Sequence, residues 1–331
     1  MSNKYDQNSG RRGLIFGISG QDGAYLAKLL LSKGYRILGS SRDAQVCPFS
    51  NLTRLGIRDE VEVESVSLND FRSVLQVLKK FRPDEVYNLA GQSSVGLSFS
   101  QPVESFESIS IATLNLLEAI RFLEQPIRLY NAASSECFGN TDGLLADEST
   151  PFRPRSPYAV AKSAAFWQVA NYREAYGLFA CSGLLFNHES PLRAERFVTR
   201  KIVNAACSIA SGSEKKLRLG RIDVERDWGW APEYVEAMWL MLQQDNPDDY
   251  IIATGESNKL KDFVEAVFLA LDLNWKDHVI TGRELFRPTD ILRVMANPGK
   301  AEQKLFWKAK YKMRDVALMM VEEELKFRKV L

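Results

Sequence analysis

Histidine is nearly absent: the chain has two, His188 and His278, in 331 residues. With no Cys-x-x-Cys or His-x-x-x-His spacing either, a zinc site has little to build on, and no metal is expected. The four cysteines, Cys47, Cys137, Cys181 and Cys207, are scattered without pairing. That argues against a disulfide framework and for a reducing compartment. Charge of one sign is also missing: 43 Lys and Arg face 42 Asp and Glu, a formal net charge of +1. This balance grips neither a nucleic-acid backbone nor an acidic membrane surface, which excludes both as partners. No apolar run approaches the ~20 residues that cross a bilayer. Residues 1–11 are polar, which reads as a disordered tail and not a signal peptide. Repeats and low-complexity blocks are lacking too. What remains is an average globular composition, 45% hydrophobic and 26% charged. Its length suits one large domain, or one plus a smaller lobe. The expectation is a soluble, cytoplasmic protein that handles a small molecule.

The first half alternates short apolar strands with amphipathic helices. Strands are expected at 13–17, 36–40, 61–66, 85–89, 127–130 and 179–186. Helices are expected at 22–33, 71–81, 103–123 and 157–176, the first stopped by Gly34. This β-α-β-α rhythm predicts an α/β, Rossmann-type, doubly wound parallel sheet. After Phe186 the rhythm loosens, with helices at 199–209, 231–243 and 261–271. Residues 12–186 therefore form the sheet domain, with about 230–255 returning to it. Residues 187–331 form mainly a smaller lobe, placed for substrate at the carboxyl edge of the sheet.

Gly17-Ile18-Ser19-Gly20-Gln21-Asp22-Gly23 spaces glycines three apart, directly after the first strand and at the start of the first helix. Bare backbone at a helix N-terminus seats a pyrophosphate, because free N–H groups and the dipole favour anions. An acid about 20 residues on would mark NAD. Here the second strand ends in Ser40-Ser41-Arg42-Asp43, with no acid at its tip. Ser41 and Arg42 suit a 2′-phosphate, so NADP is expected in preference to NAD. Asp43 either repels that phosphate or pairs with Arg42.

Tyr158 and Lys162 stand four apart on an expected helix and share a face. A nearby cation favours phenolate, and such a phenolate removes a proton from a sugar hydroxyl. The fifth strand leads into Ser134-Ser135-Glu136 at the carboxyl edge. A hydroxyl there orients the Tyr and a substrate oxygen. A carboxylate is surplus to simple hydride transfer, and useful where a proton must leave carbon and water must be expelled.

These residues resemble the extended short-chain dehydrogenase/reductase family, from about Gly13 to the C-terminal helix. Within it the chain is similar to the GDP-mannose 4,6-dehydratases. The stretches that carry this are the glycine loop 17–23, Tyr87-Asn88-Leu89-Ala90-Gly91-Gln92-Ser93, and Leu185-Phe186-Asn187-His188-Glu189-Ser190-Pro191. Phe197-Val198-Thr199-Arg200-Lys201-Ile202, Arg226-Asp227-Trp228-Gly229 and Tyr234-Val235-Glu236-Ala237-Met238-Trp239 complete them. The resemblance implies a lyase without net redox. Tyr158 takes the C4 hydroxyl proton and Glu136 moves the C5 proton and helps water leave C6. Ser134 stands where the family carries a Thr, and Lys162 also holds the nicotinamide ribose. Cofactor contacts are implied for Gly17, Gly20, Gln21, Asp22, Gly23, Arg42, Leu89, Ala90, Ser93, Tyr158, Lys162, Asn187 and His188. GDP-sugar contacts are implied for Ser135, Asn187, Val198, Lys201, Arg226, Arg287 and Asp290. Arg-Asp-Trp-Gly is read with equal weight as a structural corner built on Asp227. The helices at about 103–123 and 157–176 match those that pair in the family's dimer, so a homo-oligomer, dimer or tetramer, is implied.

The chain departs from the family's pattern at several points. Asp43 replaces a second Arg, Ser67 an Asp facing the adenine, Ser94 a His, Trp230 a His, Glu225 a Lys and Asp290 a Glu. The implied substrate is GDP-mannose or a related GDP-sugar such as GDP-manno-heptose. The competing reading is a nucleotide-sugar epimerase or reductase of the same fold, which Glu136 argues against.

Overall fold

The computed structural model describes residues 10–213 and 216–330. Of the polar stretch 1–11, residues 1–9 lie outside the described residues. Arg11 is no tail residue: its guanidinium donates to the buried Glu85 carboxylate at 3.2 Å and to Gln243 at 3.0 Å.

Seven strands make the central sheet: β1 (Arg12–Phe16), β2 (Arg36–Ser41), β3 (Glu62–Ser65), β4 (Glu85–Asn88), β5 (Arg128–Ser134), β6 (Ala180–Leu185) and β7 (Tyr250–Ile252). Their order is β7-β6-β5-β4-β1-β2-β3. From β3 to β5 neighbours run parallel, with Leu14 opposite both Leu38 and Val86. β4 and β6 are buried along their whole length, as strands covered on both faces must be. The chain winds outward from β1 to β3, then crosses back to lay β4 on the other side of β1. The carboxyl ends of β1 and β4 thus flank the point where strand order reverses, and there an open α/β sheet offers a crevice.

The helices follow from local chemistry. Phe71–Phe81 starts at Asp70, whose carboxylate accepts the Arg72 N–H, and buries Val74, Val77, Leu78 and Phe81 on one stripe. Burying four such side chains is worth roughly 6–12 kcal/mol before entropy. Pro157–Tyr176 is capped by Ser156, whose hydroxyl oxygen accepts the Ala159 N–H, and carries Pro157 in its first turn. Gly177 ends it at φ 67°, a left-handed position that suits a residue without Cβ. The expected single helix at 103–123 is instead Pro102–Phe106, a wide π-type turn at Glu107–Ile111, and Ala112–Leu123.

The chain divides into two compact units. Within the described residues the first runs up to Cys137 and includes Ser156–Leu184 and Val235–Tyr250. The second comprises Phe138–Arg155, Leu185–Tyr234 and the chain from Ile251 onward, so the boundary falls inside β7. Phe138–Arg155 joins the second unit through strand pairing: Leu145–Ala146 runs beside Met295–Ala296, and Asn140 Oδ1 accepts the Leu292 N–H at 2.7 Å. The second unit has a three-stranded sheet ordered Ser257–Lys259, Glu225–Trp230, Asn187–Glu189. Helices Val198–Ala210, Leu260–Leu269 and Met313–Val330 share its core, with Ile202, Val203, Phe263, Val267, Val316 and Met320 all buried. A buried ion pair, Arg200 to Glu324 at 2.6 Å, spans two of these helices. Among the described residues no helix is long and apolar enough to cross a membrane.

Candidate active site

In the first unit, the candidate residues gather where β1, β4 and β5 end. After Phe16 the chain turns at Gly17, φ 85°, and Gly20 N–H closes the turn on Gly17 O at 3.1 Å. A Cβ on Gly17 would lie 2.9 Å from the backbone of Leu89 and Ala90, and one on Gly23 would lie 2.4 Å from Gly17 O. Both positions require glycine for close backbone approach. Gly20 begins helix Gln21–Ser32 with no side-chain cap, and a Cβ there would meet only Gly17 O at 3.3 Å. The turn therefore stays open beside Gly20, at the N-terminus of a helix with no side-chain cap, the kind of place where an anion is favoured. Gln21 and Asp22 are linked to each other at 3.0 Å. Leu89 N–H bonds Phe16 O at 3.0 Å, holding Leu89 and Ala90 against this turn, and Ser93 lies exposed beyond them.

At the tip of β2 the two alternatives for Asp43 resolve into a third. Its carboxylate accepts the N–H groups of Gln45 and Val46, at 2.9 and 3.3 Å, and forms its own turn. Arg42 pairs instead with Glu104 at 3.5 Å and is 86% exposed along its side chain.

β5 delivers Ser134 as its last residue, and Ser135–Phe138 turns immediately after it. Ser134 Oγ accepts the Glu136 N–H at 3.2 Å, which holds the hydroxyl oxygen in place and leaves its proton to donate. Ser134 and Ser135 are buried, while Glu136 is half-buried. Tyr158 and Lys162 are buried on helix Pro157–Tyr176, with the ammonium 5.9 Å from the phenol ring centre. Lys162 Nζ donates to Ala132 O on β5 at 2.6 Å. Burial pulls the Lys162 ammonium down to about 8, although Cys137 and Asp22 nearby favour its charged form. A lysine lowered this far is still mostly charged at neutral pH.

The second unit gathers the anion-directed set. Asp290 lies between Arg226 at 3.5 Å and Arg287 at 3.7 Å, so two distant stretches of chain form one cluster. Arg226 also bonds Glu225 O at 2.9 Å. Lys201 is exposed and donates to Arg218 O at 2.7 Å, apart from that cluster in its bonding. Val198 opens helix Val198–Ala210, and Asn187 opens the strand Asn187–Glu189. His188 Nδ1 faces Phe186 O at 2.8 Å, so the proton sits on that nitrogen, and Tyr234 stacks on the ring at 4.6 Å. Asp227 accepts the N–H groups of Thr254 and Gly255 at 3.0 and 2.8 Å, which is the structural-corner reading of Arg-Asp-Trp-Gly. Glu225, at a position where Lys was expected, pairs with Arg293 at 2.7 Å. Among the described residues no His, Cys, Asp and Glu gather to hold a metal ion.

Sequence reasoning passed over Asn88 and Asn131, buried at the ends of β4 and within β5, whose amides bond at 3.0 Å. Their signal was a polar residue recurring at the same register of two apolar strands. It also passed over Arg193, which lies 3.8 Å above the Phe197 ring and 3.3 Å from Glu189.

The family model described as GDP-mannose 4,6 dehydratase matches residues 14–320. The GDP-mannose 4,6 dehydratase 1 of Arabidopsis thaliana is 45% identical over 326 residues, covering 96% of this chain and 90% of that protein. Among solved structures, the Thermus thermophilus UDP-glucose 4-epimerase in complex with NAD aligns with a TM-score of 0.83 at 26% identity, covering 97% of this chain and 100% of that one. The RMD of Pseudomonas aeruginosa complexed with NADPH aligns at 0.79 and 21%, covering 95% and 98%.

Proposed function

The chain belongs to the GDP-mannose 4,6-dehydratase family, and we propose that Tyr158, Glu136, Ser134 and Lys162 carry out that family's lyase reaction here. The activity is that of a nucleotide-sugar 4,6-dehydratase, converting GDP-mannose to its 4-keto-6-deoxy derivative with loss of water. The observation that carries it is the 45% identity with the plant enzyme across 96% of the chain.

A nicotinamide cofactor fits the residues present, because the Gly17–Gly23 turn is bare toward its open side and starts an uncapped helix. Gly17, Gly20, Gln21, Asp22 and Gly23 would hold its pyrophosphate side, Leu89, Ala90 and Ser93 the opposite wall, and Lys162, Asn187 and His188 its nicotinamide end. Its form is NADP: Arg42 stands exposed at the tip of β2, and Asp43 is drawn into its own turn and away from a 2′-phosphate. When bound, the cofactor would supply a reversible hydride acceptor for the sugar, so the reaction would proceed with no net oxidation.

The protein's groups do the proton work. Tyr158 accepts the C4 hydroxyl proton as that carbon becomes a ketone, helped by the Lys162 charge behind it. Ser134 donates its free hydroxyl proton to the C4 oxygen and keeps it in reach. The ketone acidifies C5, and Glu136 removes that proton and passes it to the departing C6 hydroxyl, which leaves as water. A proton then returns to C5, balanced by the one that Tyr158 took from the C4 hydroxyl. In the second unit, Arg226 and Arg287 suit the diphosphate and Asp290 suits donors on the guanine edge. Ser135, Asn187, Val198 and Lys201 complete the sugar and nucleotide contacts. On this reading the first unit is the cofactor domain and the second the nucleotide-sugar lobe. The chain assembles as a homodimer through helices Pro102–Phe106, Ala112–Leu123 and Pro157–Tyr176, where Val103 and Trp167 stand more than half exposed.

Purified protein with NADP and GDP-mannose should yield a product lighter by one water in mass spectrometry. Glu136→Gln should stop that loss while leaving nucleotide-sugar binding intact. An unchanged rate in that variant removes Glu136 from its role, and no product with the parent chain removes the reading itself.

A further inference from the structure

The wide turn Glu107–Ile111 interrupts a helical run that sequence periodicity presents as continuous. Such a turn adds a residue, spoils local hydrogen bonding, and recurs at functional sites. Here a side chain adds to the backbone bonding at the turn. Thr113 Oγ1 donates to Ile109 O at 2.7 Å and accepts from Asn88 Nδ2 at 3.2 Å. Asn88 Nδ2 also reaches Asn131 Oδ1, one residue before the carbonyl that holds Lys162.

Two further contacts meet at the same five residues. Ile109, 2% exposed, shares one buried cluster with Tyr158, Ala161 and Ala165. Ser108 Oγ accepts the Gln92 N–H at 3.1 Å, and Ser108 O lies where a Cβ on Gly91 would come within 2.9 Å. In an unbroken helix each residue turns by about 100°, so removing the extra residue would swing Ile109 off the face that meets Tyr158. The turn therefore sets one wall beside the phenol, while the bonds from Thr113 hold the turn.

We infer that the wide turn Glu107–Ile111 positions the Tyr158 phenol through Ile109, with Thr113 keeping the turn in shape. The inference rests on Tyr158 as the proton acceptor of the reaction. Ile109 and Thr113 are positioning residues, and their effect belongs in turnover and not in substrate binding.

The test uses the full chain with its cofactor, in four variants: Ile109→Ala, Ile109→Val, Thr113→Val and Thr113→Ser. Ile109→Ala and Thr113→Val should each lower kcat for GDP-mannose by about tenfold with KM held within about twofold. Ile109→Val and Thr113→Ser should restore most of it. Crystal structures of the two damaging variants should show the Tyr158 ring displaced by roughly 1 Å. Displacement with the kcat loss supports the inference. A ring that keeps its place in both overturns it, whatever the kinetics, and so does a kcat within about twofold of the parent in both. If Ile109→Ala does not fold, Thr113→Val alone decides by the same criteria. A parent chain that leaves GDP-mannose untouched counts against the functional reading, while the crystal structures still decide the geometry.

Discussion

Replacing Lys162 with Met should make the protein inactive and, at neutral pH, more stable. Burial has moved the Lys162 ammonium from 10.5 to about 8. That difference of about 2.5 units, at about 1.4 kcal/mol each, means the fold gives up about 3 kcal/mol to keep this cation protonated. Met has a similar reach and no charge. Its cost is the Ala132 carbonyl, which loses the 2.6 Å bond from Nζ, a loss of about 1–2 kcal/mol. The net gain is about 1–2 kcal/mol at about pH 7. Below about pH 8 both native and unfolded chains hold the proton, and the penalty is complete. From there to 10.5 the native chain sheds the proton while the unfolded chain keeps it, so the parent's stability rises with pH. The advantage of Lys162→Met should therefore shrink by about 2 kcal/mol by about pH 9.5, and disappear. Urea unfolding of both chains, with cofactor removed, at these two pH values measures it. A variant less stable at neutral pH, or a gap indifferent to pH, refutes the account of Lys162 as a strained, functional cation.

Gly17→Ala places a Cβ 2.9 Å from the Leu89 and Ala90 backbone at a φ of 85°; dinucleotide affinity, read by calorimetry, should fall by about tenfold or more. Asp290→Asn leaves the guanidiniums of Arg226 and Arg287 facing a neutral amide; KM for GDP-mannose should rise by about tenfold or more with kcat little changed, in steady-state kinetics. Burial pushes the Asp227 carboxyl from 3.8 up to about 6, so the native chain holds a proton that the unfolded chain has lost, and stability falls as pH rises through that window. Asp227→Asn should flatten this fall by about 2–3 kcal/mol in melts from about pH 4 to about pH 7; equal slopes in the two chains would show that the proton is not there.

Six of the seven strands were legible because they are short apolar runs closed by Gly, Pro or polar turns; β7 (Tyr250–Ile252), three residues long, was not expected as a strand. Helices with local caps were read well: Phe71–Phe81 begins at its Asp70 cap, and Pro157–Tyr176 runs from Ser156 to Gly177. The wide turn at 107–111 was not legible, because Val103, Phe106, Ile109, Ala112 and Leu116 keep an apolar spacing of three or four straight through it. The turn shows in the backbone alone, between Pro102–Phe106 and Ala112–Leu123. The placement of Phe138–Arg155 was hidden for a different reason: its strand Leu145–Ala146 finds its partner about 150 residues later, a pairing that no local pattern records.

The same division governs the site. Ser134, Glu136, Tyr158 and Lys162 were readable from sequence, since each pair lies within one turn of helix or one strand end. What spacing did not disclose is the carbonyl that joins them: Ala132 O ties Lys162 to the strand bearing Ser134. Arg226, Arg287 and Asp290 came only through resemblance, because their cluster depends on a contact across some sixty residues of chain. Asp43 shows why a residue type alone leaves chemistry open. A carboxylate beside a phosphate site is a repulsive charge if it points outward. It is less so once two backbone N–H groups share one of its oxygens, as those of Gln45 and Val46 share Asp43 Oδ1. On the proposed reading, the preference of the β2 tip for a 2′-phosphate would turn on where the Asp43 acceptors are engaged and on Arg42, exposed beside Glu104.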